Sequence, residues 1–447
     1  MRYIPNTPAE RQKMLADIGV GSVEELFADI PEQVRLKREL DLPEALSEPE
    51  LVRHMENLAG KNGDTGRYTC FLGGGYYDHY IPAVVPALLA RSEFYTAYTP
   101  YQAEISQGTL AAIYEFQTMI CELTGMDVAN ASMYDGATAL AEAAAVATGV
   151  TGRRRVVVAR TVHPEYRQVL NTYLEPRGVE LVKLPFADGI TVTDNLDRYI
   201  DRQTAAVLVQ QPNFFGCLED VHSLEQAARG AGALFIVSAD PISLGLLKPP
   251  GEYGADIVVG EGQSLGLPLS FGGPGFGYFA AREKFLRRIP GRMVGATTDV
   301  HGRRGFVLTL QAREQHIRRE KATSNICSNQ ALCALAATIY LSAMGPAGLR
   351  QVAGLCAQKA AYAKKRLAGV KGITVAFTAP SFKEFVLKSE YPVTRVQEVL
   401  LRRGLVAGPD LGRFYPELSN HLLVAVTEKR TKEEIDRLAE ALEEVAG

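Results

Sequence analysis

Short apolar runs separated by helix-like segments fill the middle of this chain, from about residue 105 to residue 330. Runs that are apolar on both faces are typical of strands buried on both sides, and their alternation with helices favours a mainly parallel sheet covered by helices. The strand-like runs are Arg155–Ala159, Leu181–Leu184, Ala205–Gln210, Leu234–Val237, Asp256–Val259 and Tyr278–Ala280, and the helix-like segments include Leu110–Leu123, Ala137–Thr148 and Ser223–Arg229.

Both ends of the chain depart from this alternation. Capping signals at Thr7–Glu10, Ser22–Glu25 and Ser47–Glu50 predict helices in the first 60 residues, and the Gly- and Tyr-rich stretch Gly73–Tyr80 predicts irregular structure. After a helix broken at Gly345-Pro346, the pattern predicts a smaller α+β domain. The predicted domains are an N-terminal helical and extended segment, a large α/β domain and a small α+β domain, with bounds at 1–90, 91–330 and 331–447.

The composition excludes several classes of protein. Of 447 residues, 47% are hydrophobic and 22% charged, and the net charge of −3 gives no reason to expect nucleic acid or an anionic membrane as a partner. Neither a secretory signal nor an apolar run long enough to span a bilayer is visible, which predicts a cytoplasmic protein. The six cysteines are scattered without a CxxC motif, so we expect free thiols rather than disulfides or metal ligands.

Four features follow one another in the order of a pyridoxal phosphate pocket in enzymes of the aspartate aminotransferase fold. Asp135, Gly136 and Thr138 open the alanine-rich helix and form a candidate anion site. His163 follows a strand and is a candidate to stack on a pyridine ring, while Asp240 ends a strand and is a candidate partner for the ring nitrogen. Each also has an ordinary interpretation, since a helix cap, a loop histidine and a turn aspartate fit the same residues.

The lysine that such a pocket needs is missing. Its expected place follows the strand Asp256–Val259, yet no lysine lies between Lys248 and Lys284, and Gln263 stands there instead. A neutral amide donates and accepts hydrogen bonds but cannot bind the cofactor covalently. Lys248 is an alternative, although it precedes that strand and is followed by Pro249-Pro250, which indicates a surface turn.

Several longer motifs carry a resemblance to one family. They are Phe94–Thr109, Tyr114–Thr118, Asn130–Thr138, Gly260–Ser264, Phe271–Gly277 and Lys321–Gln330. On these motifs the chain resembles the glycine cleavage system P-protein family, and more closely the α half-subunit (subunit 1) of its two-subunit form. The resemblance covers essentially the whole chain and implies the pyridoxal-phosphate-dependent transferase fold, fold type I.

The resemblance also implies a function. With a lysine-bearing β subunit (subunit 2), such a chain decarboxylates glycine and passes the aminomethyl group to the lipoyl arm of H-protein, formally as an oxidoreductase. Pyridoxal phosphate is then expected on the β subunit, in an α2β2 heterotetramer, and no catalytic residue on this chain. Counting back from Gly272–Gly275 places the family lysine on Gln263, so Asp135, Gly136, Thr138, His163, Asp240 and Gln263 would line a vestigial pocket.

Three segments are candidates for contact with partners. Thr297 and Thr298 would reach the β subunit's cofactor phosphate, and Tyr98, Tyr101, Gln102 and Glu104 would orient glycine or the lipoyl arm. Segment 282–321 is rich in arginine and would steer an acidic H-protein. Each segment also has an alternative interpretation. The threonines would then lie in a surface turn, the group with Tyr98 and Tyr101 in a packed connection, and the basic segment on a solvated face with internal ion pairs. For the whole chain, a self-sufficient pyridoxal phosphate enzyme and a non-catalytic scaffold remain open.

Overall fold

The computed structural model describes residues 5–95 and 99–446, the side chain of residue 446 excepted. The chain forms two compact units, one up to residue 63 and one from residue 64 onward. In the described residues the helices are α1 Pro8–Ile18, α2 Glu48–Ala59, α3 Val84–Leu89, α4 Gln107–Thr124, α5 Gly136–Thr151, α6 Pro164–Leu174, α7 Val221–Ala231, α8 Gln315–Arg318, α9 Ala331–Leu367, α10 Val393–Arg402 and α11 Lys432–Glu443. The strands are β1 Thr69–Phe71, β2 Val128–Ala129, β3 Arg155–Ala159, β4 Glu180–Leu184, β5 Phe186–Ala187, β6 Ile190–Thr191, β7 Thr204–Gln211, β8 Leu234–Ala239, β9 Ile257–Glu261, β10 Gly277–Ala281, β11 Met293–Thr298, β12 Arg304–Thr309, β13 Ile373–Val375, β14 Glu384–Ser389, β15 Leu405–Ala407 and β16 His421–Ala425.

The N-terminal unit contains two helices that begin at predicted capping boxes. The Thr7 hydroxyl accepts from the Glu10 N–H while the Glu10 carboxylate accepts from the Thr7 N–H, and Ser47 and Glu50 repeat the arrangement. The predicted helix at Ser22 is wrong in type, because only a 3-10 turn forms at Glu24–Phe27. Neither α2 nor this turn has a buried residue, and α1 buries only Leu15.

A seven-stranded sheet forms the core of the larger unit, in the order β2-β10-β9-β8-β7-β3-β4. Strands β4, β3, β7, β8 and β9 lie side by side in this order and are parallel, whereas β10 is antiparallel to both β9 and β2. The mainly parallel α/β sheet is therefore confirmed, with one antiparallel edge that the apolar runs did not reveal. Because β3, β8 and β9 run in the same direction, the residues that follow them meet at one edge of the sheet.

The C-terminal part contains a second, smaller sheet. Strands β13, β14 and β16 pair antiparallel around a separate apolar core, and β1 pairs with β15 in parallel. Thus Thr69–Phe71 lies within the predicted N-terminal segment 1–90 but pairs with the C-terminal part, and its fully buried Phe71 belongs to that core. The domain bounds at 90 and 330 stay predictions.

Helix α9 is long and apolar enough to cross a membrane by length and composition alone. It is broken at Gly345, where φ is 60° and ψ is 179°, and Pro346 follows, so it consists of two helices across a kink. Ala336, Ala337 and Tyr340 are fully buried in the main core. Such burial is typical of a core helix. The kink at Gly345 agrees with the predicted break of this helix.

Candidate functional site

At the edge of the sheet where β8 and β9 end there is a cavity of only ≈ 30 Å³, and of the predicted pocket residues Asp240 lines it. Asp240, Glu261 and Lys383 line it together with the glycine- and tyrosine-rich segment 73–80, through Gly75 and Tyr77. A cavity of this size has room for about one or two water molecules, whereas ligand pockets are usually about 300–1,000 Å³. The side chains that fill the remaining space determine what this pocket can hold.

Gln263 is fully buried and both ends of its amide are hydrogen-bonded. Its Oε1 accepts from the backbone N–H of Tyr77 at 2.9 Å, and its Nε2 donates to the carbonyls of Leu267 at 2.8 Å and Tyr77 at 3.2 Å. The amide thus joins the turn after β9 to segment 73–80. A lysine here would leave the Tyr77 N–H without an acceptor, because an ammonium group only donates.

Asp240 is already paired with a cation from elsewhere in the chain. Its Oδ2 lies 2.6 Å from Nζ of Lys383, the residue before β14, and its Oδ1 accepts from the Ile242 N–H at 2.9 Å. Lys383 is only 1% exposed, and its Nζ also lies 3.1 Å from Nε2 of His79. The carboxylate predicted to hold a pyridine nitrogen therefore has an internal ammonium partner that the sequence analysis did not identify.

The N-terminus of α5 is also occupied. The Asp135 carboxylate caps the helix by accepting from the Thr138 N–H at 2.7 Å, and the Gly136 N–H donates to Oε2 of Glu261 at 3.0 Å. The other Glu261 oxygen accepts from the N–H groups of Gln263 and Phe276, each at 3.1 Å. Burial raises the pKa of Glu261 to about 8 in spite of these donors. A carboxyl group of the protein thus lies where a phosphate would bind.

Both ring nitrogens of His163 have partners. Its Nε2–H donates to the Gly74 carbonyl at 2.8 Å, while Nδ1 accepts from the Glu165 N–H at 3.2 Å as the cap of α6. Burial lowers the pKa of His163 to about 4, so the ring is neutral. The Tyr166 ring stacks on it, with centroids 4.8 Å apart. A tyrosine of the same chain thus covers one face of the ring that was predicted to stack on a pyridine.

Glu384 fixes segment 73–80 from the opposite side. One carboxyl oxygen accepts from the Gly74 N–H and the other from the Tyr77 hydroxyl, each at 2.7 Å, and burial raises the pKa of Glu384 to about 7. Like Lys383, this residue lies more than 300 positions from segment 73–80. No local pattern in the sequence could therefore have indicated the contact.

Pyridoxal phosphate does not fit this pocket. The cavity is too small, Asp240 is paired with Lys383, and Glu261 is hydrogen-bonded to the helix N-terminus. Lys248, the alternative lysine, is exposed beside the turn at Pro250–Tyr253 and does not line the cavity. The residues present can bind one another, and they leave no group free for covalent chemistry on a cofactor.

The predicted threonines lie on a projecting hairpin made of β11 and β12. Thr297 and Thr298 are exposed near the turn, and Val300 at the turn is 95% exposed. The Asp299 carboxylate accepts from the N–H groups of His301 at 2.8 Å and Arg303 at 2.9 Å, which fixes the turn.

Two glutamines hold the base of the hairpin on α4. The Gln117 amide pairs with both backbone groups of Val294, and the Gln107 amide pairs with both backbone groups of Phe306, at 2.8–2.9 Å. Each amide thus extends a strand edge as a neighbouring strand would. These hydrogen bonds attach the hairpin to α4, and its tip is exposed.

The second predicted contact group lies beside this hairpin. Tyr101 is 57% exposed, and its hydroxyl accepts from Arg292 at 3.0 Å, just before β11. Gln102 and Glu104 are exposed as well, whereas Tyr98 lies outside the described residues. The structure therefore places two of the predicted contact segments on one surface, which the sequence analysis did not foresee.

The basic segment divides into paired and unpaired residues. Arg282 and Arg313 donate to backbone carbonyls, Lys284 binds Asp256 at 2.8 Å, Arg303 binds Asp299, and Arg304 lies over aromatic rings. Within the described residues of this segment, the exposed cations without a hydrogen bond, ion pair or ring contact are Arg287, Arg288, Arg318, Arg319 and Lys321. Arg287 and Arg288 precede Gly291 in the chain, whereas Arg318, Arg319 and Lys321 follow Arg313. Because Arg313 binds the Gly291 carbonyl at 2.7 Å, this contact joins the two short segments that carry these cations.

Comparison with known proteins gives consistent matches over the whole chain. Residues 1–442 match the glycine cleavage system P-protein family. A "probable glycine dehydrogenase (decarboxylating) subunit 1" of Moorella thermoacetica is 60% identical over 442 residues, which is 99% of each chain. The crystal structure of a glycine decarboxylase (P-protein) of the glycine cleavage system, in inhibitor-bound form, aligns over 100% of both chains with a TM-score of 0.91 and 49% identity.

A more distant structure shows only the fold. Glutamate decarboxylase of Lactobacillus brevis is 13% identical and aligns with a TM-score of 0.70 over 95% of this chain and 96% of its own. These neighbours confirm the predicted pyridoxal-phosphate-dependent fold type I.

Proposed function

Because the chain belongs to the glycine cleavage system P-protein family, we propose that it is subunit 1 of a two-subunit glycine dehydrogenase (decarboxylating). With a lysine-bearing subunit 2 it decarboxylates glycine and transfers the aminomethyl group to the lipoyl arm of H-protein, in the cytoplasm. The reaction belongs to the oxidoreductases. In this proposal, subunit 2 holds pyridoxal phosphate and this chain supplies surfaces to the shared site.

The self-filled pocket is the observation that carries the proposal. Gln263 makes three hydrogen bonds inside the protein, and Asp240 and Glu261 have internal partners where a cofactor would need them. A chain of this family that cannot hold the cofactor contributes through its surfaces. The same contacts disfavour the self-sufficient enzyme, since Lys248 lies outside the pocket.

The N-terminal unit supports the need for a partner. Most of the exposed large apolar side chains in the described residues precede residue 64, although this unit is a small part of the chain. On α2 they form a stripe, Leu51, Val52, Met55 and Leu58, with 42–55% of each exposed. An apolar surface of this extent is typical of an interface, because a segment of about 60 residues with almost no core is not stable alone. We assign this surface to subunit 2 in an α2β2 assembly.

The hairpin and its neighbours form the second contact surface. We infer that the tip of the hairpin reaches the cofactor phosphate bound by subunit 2 and that Thr297 or Thr298 donates a hydrogen bond to it, since hydroxyls beside a fixed turn are suitable phosphate ligands. Tyr101, Gln102 and Glu104 on the same surface would contact the entrance for glycine or the lipoyl arm. Tyr98 belongs to the same predicted group.

The unpaired arginines support a docking surface for acidic H-protein. Arg287, Arg288, Arg318, Arg319 and Lys321 are exposed without internal partners, so their charge is available to a partner. Steering by such a surface would make the KM for H-protein rise with salt, because exposed charges are screened beyond about 8–10 Å at physiological ionic strength. A KM that does not change between low and physiological salt would contradict this part of the proposal.

Mixing the two subunits tests the proposed function. Each chain is purified alone with pyridoxal phosphate, and CO2 release from glycine is measured with lipoylated H-protein, separately and after mixing. We expect release only in the mixture. Release by this chain alone would show the self-sufficient enzyme, and equal release by subunit 2 alone would show that this chain is a scaffold.

A further inference from the structure

A chain of polar contacts, with buried Lys383 and His79 at its centre, connects the central sheet with the C-terminal part. It begins at Asp240, directly after β8, and passes through Lys383, directly before β14. From Lys383 it continues to His79, 3.1 Å away, and then to Glu428, whose Oε2 lies 2.6 Å from His79 Nδ1. These residues come from four separate parts of the sequence, and none of their contacts follows from a local pattern.

The ammonium of Lys383 is satisfied without solvent. Besides Asp240 and His79 Nε2, it lies 3.5 Å from the centre of the Tyr77 ring, over the ring face. Since His79 Nε2 accepts from the ammonium, Nδ1 carries the proton and donates to Glu428. Glu428 also accepts from the Tyr80 N–H at 2.6 Å, which adds segment 73–80 to the chain of contacts.

The same cluster resembles a cation site, but Lys383 argues against one. Ligand atoms of His79, Cys356 and Glu428 lie within 4.8 Å of one another. The positive charge of Lys383 is in contact with one of these ligands, the histidine, and would repel a metal ion. The cluster is complete with the ammonium as its cation.

We propose that Lys383 supplies the positive charge that balances Asp240 in this chain, where a cofactor ring would do so in a loaded pocket. Through His79 and Glu428, the ammonium fixes the C-terminal part and segment 73–80 against the central sheet without any ligand. Lys383 is thus a positioning residue that gives this chain one fixed, cofactor-free conformation.

Chemical rescue tests this role. Lys383→Ala removes a propylammonium group and leaves the Asp240 carboxylate, whose side chain is only 12% exposed, without its counter-ion, which we expect to lower the Tm of the full-length chain by roughly 5–10 °C. Propylammonium chloride should then restore at least half of this loss, because it refills the space and the charge together. Potassium chloride at equal ionic strength should not. Lys388→Ala, an exposed position on β14, the strand that follows Lys383, is the matched control and should behave as the unmodified chain.

Two further variants keep the test decisive if Lys383→Ala fails to fold. Lys383→Met retains volume but not charge, so it should be destabilised and should not respond to propylammonium. Adding Asp240→Asn to Lys383→Met should recover stability, because the double variant no longer holds an Asp240 carboxylate that lacks a counter-ion. Additive losses in the double variant, or equal Tm values for Lys383→Ala and Lys388→Ala, would overturn the proposal. The measurements need neither subunit 2 nor glycine, so their outcome is independent of the proposed function.

Discussion

At the scale of single residues, this pocket differs from a cofactor site in the hydrogen bonds that its side chains make rather than in the size of those side chains. Gln263 provides an acceptor for the Tyr77 N–H and donors for two carbonyls, which a lysine could not do together. Glu261 provides an acceptor for the helix N-terminus at Gly136, where a bound anion would otherwise be needed. The chain thus satisfies internally the polar groups that a ligand satisfies in a loaded pocket.

Glu261 leads to a prediction about pH. Burial raises its pKa to about 8 in the folded chain, above the ordinary value of 4.5, so folded Glu261 binds a proton more tightly than unfolded Glu261. Its contribution to stability is therefore complete below about pH 4.5 and is lost as pH rises towards 8, by up to about 1.4 kcal/mol per pH unit. Glu261→Gln cannot titrate and should gain stability relative to the unmodified chain over this range.

Denaturant unfolding of both chains between pH 5 and 8 measures this difference. The comparison cancels groups that titrate in both, including His163, whose depressed pKa acts in the opposite direction below about pH 6.5. Parallel stability profiles for the two chains would contradict the assignment.

At the scale of elements, the β11–β12 hairpin is the part of the chain best shaped to enter another subunit. Its base is fixed by Gln107 and Gln117, and its tip is fixed by Asp299, so little conformational entropy is lost when it docks. Thr297 and Thr298 were identified from the sequence but the two glutamines were not, because the backbone partners of the glutamines lie 177–199 positions away.

The hairpin prediction uses two adjacent residues as mutual controls. Successive side chains of a strand point to opposite faces, so one of Thr297 and Thr298 lies closer to a single phosphate. We expect one of the variants Thr297→Ala and Thr298→Ala to weaken pyridoxal phosphate binding by the two-subunit complex about tenfold, as loss of one hydrogen bond to a charged group does. Titration of the apo complex measures it, and unchanged affinity in both variants would contradict the contact.

At the scale of the whole molecule, the main sheet was largely predictable and the state of the pocket was not. Five parallel strands followed from apolar runs between helices, since burial on both faces leaves that signature. The antiparallel direction of β10 depends on pairing, which composition does not encode. Asp240 and His163 were found by position, yet Lys383 and Glu384 come from the C-terminal part and Glu261 was seen only as part of a motif.

The apolar surface of the N-terminal unit leads to a prediction about assembly with subunit 2. Replacing Leu51, Met55 and Leu58 by serine should abolish assembly with subunit 2, because it removes the apolar stripe of α2. The Tm of the isolated chain should change by less than about 2 °C, since these side chains are exposed there. Size-exclusion chromatography of the mixed subunits measures assembly, with Glu56→Ser on the same helix as control. Normal assembly of the triple variant would refute this interface.

Which of the two subunits binds the cofactor can be measured directly. The complex of this chain with subunit 2 is loaded with pyridoxal phosphate and reduced with borohydride, and peptides of both chains are then mapped by mass. We expect the pyridoxyl label on a lysine of subunit 2 and none on this chain. Label on any lysine of this chain, Lys248 and Lys383 included, would contradict it.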